Sequence, residues 1–193
     1  MEDEGLNKKY IIGIGVLVLI VIVLLFIHLI NKSNKPNEIE VVLKNTGFTL
    51  KDGIYVKQKS KLSRDVYFNK VAEGKDAYNE MLYFDINKYE LKHISYDYYK
   101  GMTTKLTSTY DYKKDVLSYT NDISYESNNY VFEGKYEKED DFDCNLVKSV
   151  GPSIDDSEVE YICSTIEIGV NKFYTEVGEL FENTDIREKI KNN

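Results

Sequence analysis

The feature that most constrains this chain is a continuous apolar run at residues 10–30. Seventeen of the residues at positions 11–30 are Val, Ile, Leu or Phe, and the exceptions are Gly13, Gly15 and His28. As a helix, 21 residues rise about 31 Å, which matches the roughly 30 Å hydrocarbon core of a bilayer. The run has no polar face, whereas a helix packed on a soluble core normally has one. The sequence therefore predicts a transmembrane helix.

The flanks of this run favour an anchor over a cleaved signal peptide. The run is longer than the apolar region of a signal peptide, and no small-residue cleavage site follows it. Lysines flank both ends in equal number, so the flanks leave the orientation open. We therefore divide the chain into a tail (1–9), a transmembrane anchor (10–30), a linker (31–36) and an α+β domain (37–193); the cysteines discussed below indicate a short cytoplasmic tail and an extracytoplasmic α+β domain.

The charge balance restricts the partners of that domain. From residue 36 onward the chain has 30 acidic and 21 basic residues, a net charge of −9. Such a domain repels phosphate backbones and anionic lipid surfaces. We expect the lipid bilayer as a partner through residues 10–30, a protein or cell-wall partner for the domain, and no nucleic acid. The chain contains 23 Lys but 2 Arg, with 17 Tyr and no Trp, and this bias is typical of an AT-rich bacterial genome.

Turn residues at steady intervals indicate an antiparallel β-meander. Asp52-Gly53 between alternating apolar residues predicts a two-residue hairpin turn, and Lys100-Gly101 predicts another. Asn37 and Glu40 predict a short helix before the first hairpin. We expect an α+β fold with about seven or eight strands, one wetted sheet face and helices at both ends. The strands are predicted at residues 48–51, 54–57, 65–71, 81–86, 89–99, 102–112, 116–125, 130–137 and 141–147.

A long amphipathic helix is predicted after the strands. Ser157 and Glu160 have the spacing of a capping box. Apolar residues then recur at steps of three and four for about six turns, which defines one stripe that must be buried. We expect the helix to pack this apolar stripe against the sheet. A second short helix is predicted at residues 185–191. The stripe consists of Val159, Ile162, Ile166, Val170, Phe173, Val177 and Leu180.

The two cysteines indicate the compartment. Cys144 is placed on the last strand and Cys163 on the buried edge of the long helix, so we expect both at the helix–sheet interface. A disulfide would close a loop of about 20 residues, which is worth about 3 kcal/mol in the chain-entropy model. It would also indicate an oxidising compartment and hence a domain outside the membrane. The alternative is a pair of buried free thiols.

No catalytic residue, resident metal or cofactor is predicted. Zinc, phosphate-loop and dinucleotide signatures are absent from the sequence, and His93 is expected to be an ordinary strand residue. The densest acidic run supplies a candidate cation site formed by Glu139, Asp140, Asp141 and Asp143, because calcium prefers oxygen ligands. Its spacing differs from an EF-hand, and the alternative is a solvated turn.

Eleven tyrosines lie between Tyr83 and Tyr136. Because tyrosine is amphipathic, tyrosines sharing one sheet face would suit an apolar ligand or a glycan. We place a candidate ligand face at Tyr96, Tyr98, Tyr110 and Tyr112. The alternative is that coding bias raises the tyrosine content and that the long helix buries part of this face.

Together these observations predict a membrane-anchored, extracytoplasmic binding or interaction module at a bacterial cell surface, with its ligand undetermined. One alternative is an accessory subunit whose anchor contacts other membrane helices. The other is a cell-envelope enzyme that uses the carboxylates of Asp140, Asp141 and Asp143. The absence of a catalytic motif favours the non-enzymatic function.

Overall fold

The computed structural model describes residues 37–137, 142–182 and 184–192, together with Val21. Contacts divide the chain into two compact units, residues 1–40 and residues 41–193. Val21 is helical and exposed. Within the described ranges no helix has the length and apolar character needed to cross a membrane. The predicted tail (1–9), anchor (10–30) and linker (31–36) lie outside those ranges apart from Val21.

A single antiparallel sheet forms the second unit, and its eight described strands lie side by side in chain order. Each strand pairs antiparallel with the next one in the chain, as the alternation of apolar and polar residues predicts; short turns join β1 to β2 and the strands from β3 to β7, whereas residues 59–76 connect β2 to β3. The α+β fold with an antiparallel meander is therefore confirmed. The strands are β1 Thr49–Lys51, β2 Ile54–Gln58, β3 Ala77–Asp85, β4 Glu90–Tyr99, β5 Met102–Asp111, β6 Val116–Tyr125, β7 Asn128–Glu137 and β8 Asn145–Val150.

Two hairpin turns have the backbone geometry that their sequences predict. Asp52 and Gly53 have φ of 51° and 83°, and Lys100 and Gly101 have φ of 49° and 87°. Positive φ at both positions gives the turn a twist that matches the flanking strands. Each turn thereby fixes the register of its hairpin, with Lys51 opposite Ile54 in the first.

The helix α1 spans Glu38–Asn45, in agreement with the predicted first helix. The side chain of Asn37 accepts a hydrogen bond from the backbone N–H of Ile39 at 3.2 Å. Gly47, with φ of 90°, ends the helical segment. In the second unit, the Leu43 carbonyl accepts a bond from Phe48 N at 2.9 Å, which leads the chain into β1.

The prediction of a strand at residues 65–71 is wrong, because this segment is the helix α2, Arg64–Ala72. Ser63 caps it by accepting from the N–H of Val66 at 3.4 Å. Val66, Tyr67 and Phe68 are residue types common in strands. Here Tyr67 is buried against Tyr96, with ring centroids 5.6 Å apart, so packing outweighs local propensity.

The last strand lies further along the chain than predicted. β8 begins at Asn145, whereas we expected a strand at residues 141–147. Residues 142–144 are irregular, and the Asp143 carbonyl accepts a bond from the Tyr119 hydroxyl at 2.7 Å. Gly134 makes this possible, since a Cβ there would overlap the Asp143 carbonyl. The close approach replaces regular pairing at this point.

The long helix α3 spans Asp156–Leu180 and packs on one face of the sheet, as predicted. The capping box consists of Asp155 and Glu158, so the prediction of Ser157 and Glu160 is wrong by two residues. Asp155 has extended backbone angles and accepts from Glu158 N, which places the helix start there. The fully covered part of the stripe comprises Ile166, Val170, Phe173 and Val177.

The helix α4, Thr184–Lys191, follows α3 and confirms the second short helix. Ile186 and Ile190 are buried. The Arg187 guanidinium donates to the carbonyls of Val177 and Gly178, at 3.3 and 2.7 Å. These bonds satisfy carbonyl groups near the end of α3, which lack partners within the helix.

The sulfurs of Cys144 and Cys163 lie at disulfide bonding distance, and their Cα atoms are 5.9 Å apart. The pair joins the segment before β8 to the first half of α3. No residue of α3 before Ile166 is buried, so this half has fewer covered side chains than the second half. The disulfide therefore supplies a tether where apolar packing is weakest.

Candidate functional site

The α3-bearing face of the sheet has two distinct regions, one beneath the helix and one beyond it. Beneath the helix lies a polar cluster, which we define as Lys59, Tyr78, Glu80, His93 and Glu176. Beyond the helix, near the hairpin tips, lies a group of exposed and half-buried side chains that we call the tip platform. Its aromatic and apolar members are Tyr78, Tyr99, Met102, Ile123, Tyr125 and Tyr130, and its polar members are Asp97, Thr104 and Asn128.

Glu80 is the centre of the polar cluster. Its Oε1 lies 3.1 Å from His93 Nε2 and 3.4 Å from Lys59 Nζ, and its Oε2 accepts a bond from the Tyr78 hydroxyl at 3.0 Å. The hydrogen bond from His93 lowers the pKa of Glu80 to about 2, although burial opposes the shift. The Glu80 carboxylate therefore remains charged in the folded protein throughout the neutral range.

The same cluster connects the sheet to α3. Lys59 forms an ion pair with Glu176 of the helix as well as with Glu80. The His93 ring stacks on Phe173, with centroids 5.3 Å apart and planes at 19°. His93 and Phe173 are 6% and 1% exposed, so the helix shields this pairing from solvent. His93 is thus a strand residue, as predicted, and in addition a buried partner of a carboxylate.

The Glu80–His93 pair superficially resembles a catalytic pair. Ser108 is opposite His93 in the register of β4 and β5, but its side chain is fully buried and makes no hydrogen bond to the described protein atoms. A nucleophile and its base must be within hydrogen-bond reach of each other and of a substrate. With α3 in place the Ser108 hydroxyl has no access to solvent. The arrangement therefore functions as a helix–sheet contact.

A cavity of about 260 Å³ lies beside the polar cluster. Phe48, Leu82 and Leu91 provide an apolar floor, and Lys57 and Glu179 stand at its rim. Lys57 lies over the Phe48 ring, 5.8 Å from its centroid. Its lining has two charges of each sign, from Lys57, Lys59, Glu176 and Glu179, and this balance favours no single ligand class.

The tip platform consists of two cross-strand rows of side chains. In the first row Tyr99 pairs with Met102, and Met102 pairs with Tyr125. The exposed fractions of these three side chains are 51%, 40% and 46%. Large apolar side chains that are clustered and exposed mark interaction sites more often than scattered ones do.

The second row lies one step closer to the helix. It contains Tyr78, Asp97, Thr104, Ile123 and Tyr130, which are opposite one another in register on β3 to β7. The Tyr78 hydroxyl donates to Glu80, and the Tyr130 hydroxyl donates to the Pro152 carbonyl at 2.9 Å. These bonds hold the outer tyrosines in place. Tyr78 also joins the platform to the polar cluster.

The four tyrosines of the predicted ligand face do not share a face, so that part of the prediction is wrong. Because the hairpin turn pairs even-numbered residues of β4 with odd-numbered residues of β5, Tyr96 and Tyr98 lie on the opposite face from Tyr110. Tyr96 contacts Tyr67 and Phe68 of α2.

Tyr110 and Tyr112 are buried under α3 and α4. The Tyr112 hydroxyl donates to the Val177 carbonyl at 3.1 Å, and its ring packs on Phe181. Burial raises the pKa of both phenols above the ordinary value. These two tyrosines stabilise the core.

The candidate cation site lies mostly outside the described ranges, since Glu139, Asp140 and Asp141 are not among them. Asp143 is described, and its carboxylate accepts a bond from the Asn145 amide at 2.6 Å. In the described parts of the chain, no group of three or more His, Cys, Asp or Glu residues is arranged to hold a metal ion.

Sequence reasoning did not single out Tyr99, Met102 or Tyr125. The available signal was the turn at Lys100-Gly101, because a two-residue turn places its flanking residues in one row. Tyr99 and Met102 flank that turn directly. No local sequence pattern predicts the contact between Glu80 and His93, because these residues of β3 and β4 are not directly opposite each other in the register.

In the described part of residues 41–193, an eight-stranded antiparallel meander carries the helix α3 across one face and the tip platform beside that helix. Comparisons with protein-family models, with curated proteins and with solved structures give no match.

Proposed function

We propose that this protein is a membrane-anchored binding module that acts outside the membrane and contacts its partner through the tip platform. The observation that carries the proposal is the row of Tyr99, Met102 and Tyr125, each at least 40% exposed on a rigid sheet. Tyrosine is enriched at interfaces because it combines a large apolar area with one hydroxyl and little conformational entropy.

Two features support the location. The apolar run at residues 10–30 has the length of a membrane span. The pairing of Cys144 with Cys163 is compatible with an oxidising compartment. In this proposal the N-terminus is cytoplasmic and residues 37–193 lie outside.

Surface labelling of lysines in intact cells tests the topology. An amine reagent that does not cross membranes should modify the exposed Lys51 and Lys148 while sparing Lys8 and Lys9. Lysed cells provide the control, in which all four should react. Modification of Lys8 and Lys9 with protection of the other two would reverse the proposed orientation.

Chemical crosslinking and capture of the full chain tests the surface. We expect the Tyr99→Ala/Tyr125→Ala double variant to lose the partner. The matched control is Tyr161→Ala, which removes a tyrosine that is 75% exposed on the outer side of α3. Equal loss in both variants, or retention in both, would contradict a role for the platform. A partner that is captured regardless of these tyrosines and crosslinks only through residues 10–30 would favour an accessory subunit.

A further inference from the structure

The tip platform has the dimensions of an extended polymer site. Its second row crosses five strands, from Tyr78 on β3 to Tyr130 on β7. At a strand spacing of about 4.8 Å, this row is roughly 19 Å long. Tyr99 and Tyr125 are two strands apart, hence roughly 9.6 Å. The surface is a sheet face, and an extended peptide usually adds to a sheet edge instead.

The aromatic rings are held in place before any ligand binds. Lys100 Nζ lies 5.0 Å from the centroid of the Tyr99 ring. The Tyr125 ring lies against the backbone of Gly101, where an added Cβ would be 3.5 Å from it. A surface that is already ordered loses little conformational entropy on binding, so weak stacking contacts contribute more to affinity.

The polar groups of the platform suit hydroxyl groups better than charged ones. Asp97, Thr104 and Asn128 stand in the two rows and can exchange hydrogen bonds with hydroxyls. The exposed acidic groups are Asp97, its neighbour Asp76, and Glu126 next to Tyr125 in the chain; they outnumber the basic group Lys100 over the Tyr99 ring. Anionic lipids and phosphate polymers are therefore disfavoured.

These observations together select a ligand with flat apolar faces and many hydroxyls. We propose that the tip platform binds a neutral, linear β-linked polysaccharide, with sugar rings stacked on Tyr99 and Tyr125 and hydroxyls bonded to Asp97 and Asn128. The inference rests on the proposed binding function and names its ligand class. A β-1,4-linked chain is extended and presents the apolar faces of its sugar rings along a line, as two aromatic rings in one row require.

Titration calorimetry with defined oligosaccharides tests the proposal. The full chain is placed in phosphatidylcholine nanodiscs, which avoids competition from sugar-based detergents. Cellohexaose and chitohexaose are the β-linked ligands, and maltohexaose is the α-linked control of equal length. We expect at least one β-linked hexamer to bind and maltohexaose to bind at least about tenfold more weakly.

The tyrosine variants then locate the site. Tyr99→Ala/Tyr125→Ala should weaken binding at least about fivefold, because both stacking surfaces are lost. Tyr161→Ala should bind as the natural chain does. An unchanged thermal midpoint in the double variant would exclude unfolding as the cause. Tyr99→Phe/Tyr125→Phe, which retains the rings, should retain most of the affinity.

Four results would overturn the inference. The first is that neither β-linked hexamer gives a heat of binding, and the second is that the α-linked control binds equally well. The third is that the double variant keeps the affinity of the natural chain. The fourth is that the platform instead mediates dimerisation or binding to vesicles. If partner capture still depends on Tyr99 and Tyr125 while the sugars fail to bind, the binding function stands and the ligand class is wrong.

Discussion

The polar cluster beneath α3 and the tip platform beyond it occupy the same face of the same sheet. His93 and Tyr99 both project from this face of β4, yet His93 is 6% exposed and Tyr99 is 51% exposed. Strand alternation assigns both residues to the same face. The diagonal path of α3 over the sheet determines which rows are covered.

This difference separates two roles for similar side chains. Aromatic rings between α3 and the sheet, such as Phe173 of the helix and Tyr112, contact other rings and stabilise the core. The rings of Tyr99 and Tyr125 at the tips are about half exposed and should contribute little to the stability of the domain. Substitutions in the two regions should therefore differ in both size and kind of effect.

The largest effect is expected at Phe173. Phe173→Ala should lower the free energy of unfolding by about 3–5 kcal/mol, because it leaves a cavity above His93. Urea denaturation of the full chain in nanodiscs measures this. Ile168→Ala on the outer side of the same helix, where Ile168 is 73% exposed, should change stability by less than about 0.5 kcal/mol. Similar changes in the free energy of unfolding for both variants would contradict the distinction between the covered and the exposed side of α3.

Glu80 provides the expected pH dependence of the covered region. Its pKa is about 2 in the folded protein against an ordinary value of 4.5. The Glu80 carboxylate therefore contributes on the order of 3 kcal/mol to the free energy of unfolding. This contribution is present above pH 4.5 and is lost as the pH falls through 2. In Glu80→Gln, the slope of stability between pH 5 and pH 2 should be shallower. Parallel profiles for the two proteins would show that Glu80 does not couple to folding.

Removing the disulfide should affect the first half of α3 most. Cys144→Ser/Cys163→Ser should lower the free energy of unfolding by about 3 kcal/mol under oxidising conditions. Hydrogen exchange should accelerate mainly at residues 156–165, where no side chain is buried. In the presence of a thiol reductant the natural chain should behave as the variant does. Uniform acceleration across the sheet would contradict a local tether.

A matched pair of tyrosines supplies the next test. Tyr112→Phe removes a buried hydroxyl that donates to the Val177 carbonyl and should cost about 1 kcal/mol. Tyr125→Phe removes an exposed hydroxyl and should change stability by less than about 0.5 kcal/mol. Thermal unfolding of both variants measures the difference. A larger loss from Tyr125→Phe would mean that the platform is part of the core.

Truncation of a platform tyrosine should also have a small effect on folding. Tyr99→Ala should lower the free energy of unfolding by less than about 1 kcal/mol, since half of the side chain is already exposed. Denaturation of this variant beside Phe173→Ala measures the contrast directly. A loss comparable to that of Phe173→Ala would place Tyr99 among the core residues.

Sequence patterns predict the meander, two of its hairpin turns and the location of both cysteines at the helix–sheet interface. Asp52-Gly53 and Lys100-Gly101 fix two turns because positive φ is needed at both positions. Each later strand is then placed by alternation and by its distance from the preceding turn. The apolar stripe of α3 likewise required a partner surface, and the sheet was the large apolar surface that the sequence offered.

The conformation of residues 64–72 depends on tertiary contacts. So does the division of the sheet face into residues covered by α3 and residues left exposed. Local propensity favours a strand at Val66–Phe68, but burial of Tyr67 against Tyr96 selects a helix. Similarly, no local pattern places Phe173 on His93 or leaves Tyr99 beyond the helix, because the path of α3 depends on contacts far apart in the chain. The physical reason is that burial depends on which elements cross, whereas alternation along a strand determines only the side to which a residue points.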